Sequence, residues 1–113
     1  MFEKLELTRM AQGLAAHAGA RIGLIAQNIA NADTPRFRGT DLPAFADVYD
    51  TGEPVERTRA EPLNSAVDPN GNNVTLDDQM RRMVEVRQSH EMALAIYRST
   101  SGIIRLALGR GGQ

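Results

Sequence analysis

Apolar positions in the first part of the chain recur in steps of three and four, at Leu7, Ala11, Leu14, Ala18, Ile22, Ile25 and Ile29. That is the spacing of one helix face, and it predicts a helix over residues 1–32. Gly13, Gly19 and Gly23 interrupt the pattern, each costing about 1 kcal/mol against Ala in a helix interior. A helix weakened in this way needs a partner to hold it. Ala15, Ala16 and Gly19 are small enough to let that partner's backbone come close.

A second pattern covers residues 76–109, where Leu76, Met80, Met83, Arg87, His90, Leu94, Tyr97, Ser101, Ile104 and Leu108 alternate steps of four and three. Held over several heptads, this is a coiled-coil spacing. Thr75 stands where an N-cap is needed, with Asp77 and Asp78 near the positive end of the helix dipole. Gly109, Gly111 and Gly112 are expected to end the helix and leave 110–113 as a flexible tail.

All five prolines (Pro35, Pro43, Pro54, Pro62 and Pro69) fall between these helices. In residues 33–75 the acids Asp33, Asp41, Asp47, Asp50, Glu53, Glu56, Glu61 and Asp68 outnumber Arg36, Arg38, Arg57 and Arg59. This middle part reads as a solvated, extended acidic segment that reaches out to neighbours. The fold class is therefore mainly α: two long terminal helices in an antiparallel coiled-coil-like pair, joined by an extended Pro-containing segment, in one domain over 1–113. About 33 helical residues span roughly 50 Å, whereas a compact globule of this chain length has a radius of gyration near 13 Å. Such a pair overhangs any compact fold and cannot cover its own apolar faces, so association is expected. On spacing alone, an ordinary helical hairpin that dimerises serves equally well.

Composition narrows the function. A net charge of −1 and few aromatics give no footprint for nucleic acid and no polybasic membrane anchor. Cysteine is absent, which removes disulfides and thiolate metal sites. No apolar run approaches the ~20 residues of a membrane span, and the opening Met-Phe-Glu-Lys-Leu-Glu-Leu is too acidic for a secretory signal.

Asp68-Pro-Asn70-Gly-Asn72 opens like a calcium loop, but Asn73 holds the glycine position and Gln79 the place of the bidentate Glu. A Pro-Asn-Gly turn leading to the helix cap is the simpler reading. His90-Glu91 begins a zinc-protease pattern whose second His falls on Leu94, and His17 has no companion ligand at suitable spacing. Gly109-Arg110-Gly111-Gly112 follows a helix instead of opening one, so it is no phosphate loop. No catalytic residue, cofactor, metal or small-molecule substrate is expected, and the chain does not read as an enzyme.

Residues 27–41 read Gln-Asn-Ile-Ala-Asn-Ala-Asp-Thr-Pro-Arg-Phe-Arg-Gly-Thr-Asp. Asn28 and Asn31 are amides placed to bond carbonyls freed at a helix end or a neighbouring chain, and Thr34-Pro35 forces the chain out of the helix. The run resembles the signature that ends the N-terminal helix of bacterial flagellar axial proteins, the rod, hook and hook-associated subunits. Asn28, Ile29, Ala30, Asn31, Thr34 and Pro35 match it, and Phe37 and Arg38 fill its aromatic and basic places. Arg36 stands where the family has Gly, which puts the usual backbone of that turn in question. The stretch from Asp68 to Met80 looks like the lead-in to the C-terminal helix shared by two related rod subunits. The short middle segment, the opening Phe-Glu-Lys-Leu and the Tyr97…Leu106 ending look more like the proximal one, which forms the rod's first turns. The related rod protein FlgC, with a longer middle segment, is the nearest rival. A cytosolic helical adaptor or export chaperone is the rival from another class.

The resemblance implies a structural part that polymerises with copies of itself and with the rod proteins FlgC and FlgF, above the adaptor FliE and the MS-ring protein FliF. It implies a rod located in the periplasm, its subunits made in the cytoplasm and exported by the flagellar type III apparatus without a cleaved signal peptide. Phe45-Ala-Asp-Val-Tyr49 matches the Phe-x-x-x-apolar segment that such substrates offer the export gate. The helix-packing residues are expected to be Leu7, Leu14, Ile22, Ile25, Ile29, Leu76, Met80, Met83, Leu94, Tyr97, Ile104 and Leu108. Asp introduced at Ile25 or Leu94 should then abolish assembly through an unpaired buried charge.

Overall fold

The structure is a computed structural model describing residues 2–111. Two long helices, α1 (Phe2–Ala30) and α3 (Leu76–Gly111), pack against each other. They run antiparallel: the Thr8 and Thr100 hydroxyls meet at 3.1 Å towards one end, and Asn28 meets Gln79 at 3.0 Å towards the other. Between them lie β1 (Thr40–Asp41), α2 (Phe45–Asp50), a single 3-10 turn (Val55–Arg57) and β2 (Glu61–Pro62). β1 and β2 form a minimal antiparallel ladder, Thr40 opposite Pro62 and Asp41 opposite Glu61.

Helix α3 begins as its sequence dictates. The Thr75 hydroxyl accepts the Asp78 N–H (3.3 Å), and the Thr75 carbonyl accepts the Gln79 N–H (3.1 Å). Its other end differs from expectation, because the helix continues through Gly109 to Gly111. Gly109 does not take up the left-handed cap conformation, and a lone glycine weakens a helix without stopping it. Of the expected tail, 112–113 lies outside the described residues.

The buried seam keeps the predicted spacing and, on α1, most of the predicted positions, but takes another phase on α3. On α3 it runs Gln79, Arg82, Val86, Ser89, Ala93, Ile96, Thr100, fully or partly buried, each one residue before a position of the expected series. One residue is a rotation of about 100° about the helix axis. On α1 the seam runs Thr8, Ala11, Leu14, Ala18, Arg21, Ile25, Asn28, so Arg21 and Asn28 take the places expected of Ile22 and Ile29. Close approach comes from Ala11, Ala18 and Ala93, all buried. Gly19 faces open space, where an added Cβ would touch nothing. The apolar centre is thin, consisting of Ala18, Ile25 and Val86 with Met83 against them.

The middle segment is not an arm reaching outward. It folds back along α1, where the Phe45 ring lies 3.5 Å from the position of a Cβ at Gly13 and edge-on to His17, with ring centroids 5.6 Å apart. His17 Nε2 lies 2.8 Å from the Pro43 carbonyl. A carbonyl can only accept, so that nitrogen carries the proton. Val48 and Leu63, both in the returning chain, are buried. The molecule measures 69 × 24 × 15 Å with a radius of gyration of 18.1 Å, the elongated shape expected of a helix pair without a globular body.

Candidate functional site

The closed end of the hairpin is built from two asparagine-rich runs held face to face. At the end of α1, Asn28 is almost fully buried. Its Nδ2 donates to the Thr40 carbonyl (2.9 Å) and to Gln79 Oε1 (3.0 Å), while its Oδ1 accepts the Thr40 N–H (3.2 Å). One amide thus ties α1, β1 and α3 together. Asn31 Nδ2 donates to the Gln27 carbonyl (2.9 Å), which also accepts the Asn31 main-chain N–H (3.1 Å).

The chain then turns through Thr34–Phe37, the Phe37 N–H donating to the Thr34 carbonyl (3.2 Å). Pro35 occupies the second position and Arg36, at φ 65°, the third. This is the arrangement of a type II turn, whose third position demands positive φ and favours Gly. Arg36 therefore keeps the backbone that glycine would adopt there, at the steric cost of a Cβ.

From the opposite side, Asn72 Nδ2 donates to the Asn31 carbonyl (2.9 Å) and the Thr34 carbonyl (2.7 Å). Asn73 Oδ1 accepts the Gly39 N–H (2.8 Å) and its Nδ2 reaches the Leu63 carbonyl (3.3 Å). Main-chain bonds from Arg36 N–H to the Asn70 carbonyl (2.9 Å) and from Asn73 N–H to the Phe37 carbonyl (3.3 Å) complete the latch. Two glycines permit it. A Cβ at Gly39 would lie 2.7 Å from Leu63 Cδ1 and 2.8 Å from Val74 Cγ2, and one at Gly71 (φ 87°) 3.1 Å from the Arg36 Cα. The Asp68–Asn73 run forms the expected turn, with the Gly71 N–H donating to the Asp68 carbonyl (2.8 Å). Its Asn70 and Asn72 oxygens accept the N–H groups of Asn72 (3.1 Å) and Val74 (2.7 Å), so they hold backbone.

Beside the latch sits a buried carboxylate. Asp41, expected in a solvated stretch, is received by Arg21 from α1 through two bonds (2.9 and 2.8 Å), by Arg82 from α3 (2.7 Å) and by the Leu42 N–H (2.7 Å). Burial alone would raise its pKa, but the two guanidinium groups and the amide outweigh it and hold the carboxyl below its ordinary range. Asp78 is held low in the same way: burial opposes ionisation and Arg82 and Arg81 overcome it. Among the described residues no buried side-chain nitrogen or oxygen lacks a hydrogen-bond partner.

The expected packing residues divide into two groups. Ile25 is fully buried, and Leu14, Met83 and Ile104 are partly buried. Leu7, Ile22, Ile29, Leu76, Met80, Leu94, Tyr97 and Leu108 lie on the exposed side, Met80 at 64% and Leu108 at 66%. The outer surface adds Phe2 (90%), Leu5, Val84, Met92, Ile103 and Leu106. Of the family-motif residues, Asn28, Asn31 and Thr34 are latch members, Pro35 sets the turn, and Phe37 contributes its carbonyl. Ile29, Ala30 and Arg38 face outward. Phe45 and Tyr49 sit in α2, Phe45 against α1 and Tyr49 donating to Glu6 Oε1 (2.6 Å).

Sequence reasoning passed over Arg21, Asp41 and Arg82. The available signal was that Arg21 falls at steps of three and four among Ala18, Leu24 and Ile25, on a face where a lone charge is costly. Arg82, between Asp78, Gln79, Glu85 and Val86, carried no such signal. No protein-family model matches the chain, and a search of curated proteins finds no match.

Proposed function

We propose that this chain is a structural subunit of the bacterial flagellar basal body, a proximal-rod protein of the FlgB kind. Many copies would assemble with FlgC and FlgF into the shaft that joins the MS ring to the distal rod and hook. The chain would work mechanically and catalyse nothing. The observation that carries this reading is the division of side chains in the hairpin. Beyond a thin core around Ile25 and Val86, the residues between the helices are mostly small or polar, and most of the bulky apolar ones lie outside. Exposed apolar surface on this scale marks a surface to be covered by protein. The motif of residues 28–38 supplies the family, and its engagement with residues 68–74 gives those asparagines a physical task.

Within the assembly, copies would cover one another's outer faces while the latch keeps each hairpin in register. The finer picture of coiled-coil-like packing belongs to those contacts between copies. Phe45 and Tyr49 would be offered to the export gate by the unfolded chain and would fasten α2 to α1 once it folds.

Mass spectrometry of purified hook–basal bodies, with this chain quantified against the hook protein, tests the reading. Recovery at a few copies per structure is expected. Intact basal bodies without the chain, while the soluble fraction contains it, would overturn the reading in favour of a cytosolic helical adaptor.

A further inference from the structure

Asn70-Gly71 is the sole Asn-Gly pair of the chain, and it lies within the latch. Glycine after asparagine leaves the main-chain nitrogen without the steric protection of a following side chain. That nitrogen can attack the asparagine side-chain carbonyl carbon. The Gly71 nitrogen loses its proton to solvent base, and a bond forms from it to the Asn70 Cγ. The Cγ–Nδ2 bond breaks and ammonia leaves, giving a cyclic imide. Water then opens the ring at either carbonyl, leaving aspartate or, with the main chain rerouted through the side-chain carbon, isoaspartate. No oxidant or enzyme is required.

The fold restrains each participant in this reaction. The Gly71 N–H, which must be given up, donates to the Asp68 carbonyl at 2.8 Å. The Asn70 side-chain oxygen is held by the Asn72 N–H at 3.1 Å, and the Asn70 main-chain carbonyl by the Arg36 N–H at 2.9 Å. Gly71 is fixed at φ 87° and backs onto Arg36. Yet Asn70 itself is exposed, so water and base reach it. Protection therefore comes from restraint of the backbone rather than from burial.

We propose that Asn70 is a self-modification site gated by the latch: it stays intact while residues 28–38 and 68–74 are engaged, and deamidates when they separate. The product weakens the latch that protected it. Isoaspartate adds a carbon to the main chain between the bonds to Asp68 and Arg36, and either product places a second negative charge beside Asp68.

The test uses the full chain at mildly alkaline pH, in buffer and in urea, with peptide mapping by mass spectrometry that separates aspartate from isoaspartate. Asn64, followed by Ser65 and exposed, is an internal reference. Modification at Asn70 should lead in urea and be at least roughly tenfold slower in the folded chain, because the reaction must wait for local opening. The Asn72→Ala variant, which loses the bonds to the Asn31 and Thr34 carbonyls, should react faster at Asn70 when circular dichroism shows it folded. Should that variant not fold, the comparison of buffer with urea decides alone. Refolded isoaspartate-containing chain should unfold at lower urea than unmodified chain. Equal Asn70 rates in buffer and urea, faster loss of Asn64 in urea, or an unchanged rate in folded Asn72→Ala would each overturn the proposal. An unchanged urea midpoint for the modified chain would overturn the weakening.

Discussion

One charge placed on opposite faces of the hairpin separates folding from assembly. Ile25 is completely buried against Ala18 and Val86, whereas Met80 is 64% exposed on α3. Ile25→Glu forfeits about 1.5–3 kcal/mol of apolar transfer. It also buries an unpaired carboxylate, at an effective cost of several kcal/mol more. At the usual ~0.05–0.15 kcal/mol per residue, the 113-residue chain has roughly 6–17 kcal/mol to lose, and its thin core places it towards the lower figure. Ile25→Glu should therefore be largely unfolded. Met80→Glu removes only the covered third of a methionine, about 0.5–1 kcal/mol, and glutamate is as good a helix former. That variant should fold with nearly the native urea midpoint by far-ultraviolet circular dichroism. In cells whose own copy has been deleted, however, it should fail to restore swimming or yield hook–basal bodies. Native-like stability of Ile25→Glu would refute the packing described for the core. A Met80→Glu chain that is folded, exported and builds basal bodies at the wild-type yield would refute the role of the outer face.

Asp41→Asn leaves Arg21 and Arg82 facing a neutral partner and should cost about 3 kcal/mol in urea unfolding. Because Asp41 and Asp78 titrate lower in the folded chain than in the unfolded one, their stabilisation is complete above pH ~4–5 and lost as pH falls through the lower folded values. An acid titration of stability should consequently be shallower in Asp41→Asn than in the wild type. Gly39→Ala drives a Cβ into Leu63 and Val74 and should lower stability by about 1–3 kcal/mol. Arg36→Gly frees a turn position held at φ 65° and should raise the urea midpoint by an amount equivalent to at most about 1 kcal/mol, the relief being partly offset by the freer unfolded chain. A lower midpoint in Arg36→Gly would mean that the arginine side chain holds the latch more strongly than its backbone strains it.

Local devices were legible from the residues alone. The Thr75 cap, the Pro-Asn-Gly turn and the two helices with nearly their observed bounds all depend on neighbours a few positions away. The clamp on Asp41 was not legible, because its arginines lie 20 and 41 residues away in sequence and nothing in an acidic, Pro-interrupted stretch reports a partner that distant. The phase of the seam was misread for a different reason. A periodicity argument assigns the bulkiest apolar residues to the interior of the chain that carries them. Here Met80, Leu94 and Tyr97 stand one position past Gln79, Ala93 and Ile96, and the smaller or more polar neighbour is the one turned inward in the first two cases. The heptad was correct, but which of two adjacent stripes faces the other helix is not contained in the period.

That misreading and the proposed function have the same physical origin. Apolar burial is non-directional and grows with area, so a subunit that spent its large side chains on its own core would have little left to associate with. This hairpin fixes its geometry by other means. Asn28 and Asn72 each bridge separate parts of the fold, Asn73 joins the strands' flanks, and Asp41 joins both long helices through charged hydrogen bonds. Such bonds depend on distance and angle and set a register even where they add little net stability. All of them cluster at the closed end. Towards the other end the helices meet through Ala11, Ala93, Thr8 and Thr100, with Phe2, Leu5, Leu106 and Leu108 exposed beyond. The closed end can therefore fold within one chain, while on the proposed function the open end would gain most of its apolar burial only when other protein covers it, which would couple completion of the fold to assembly.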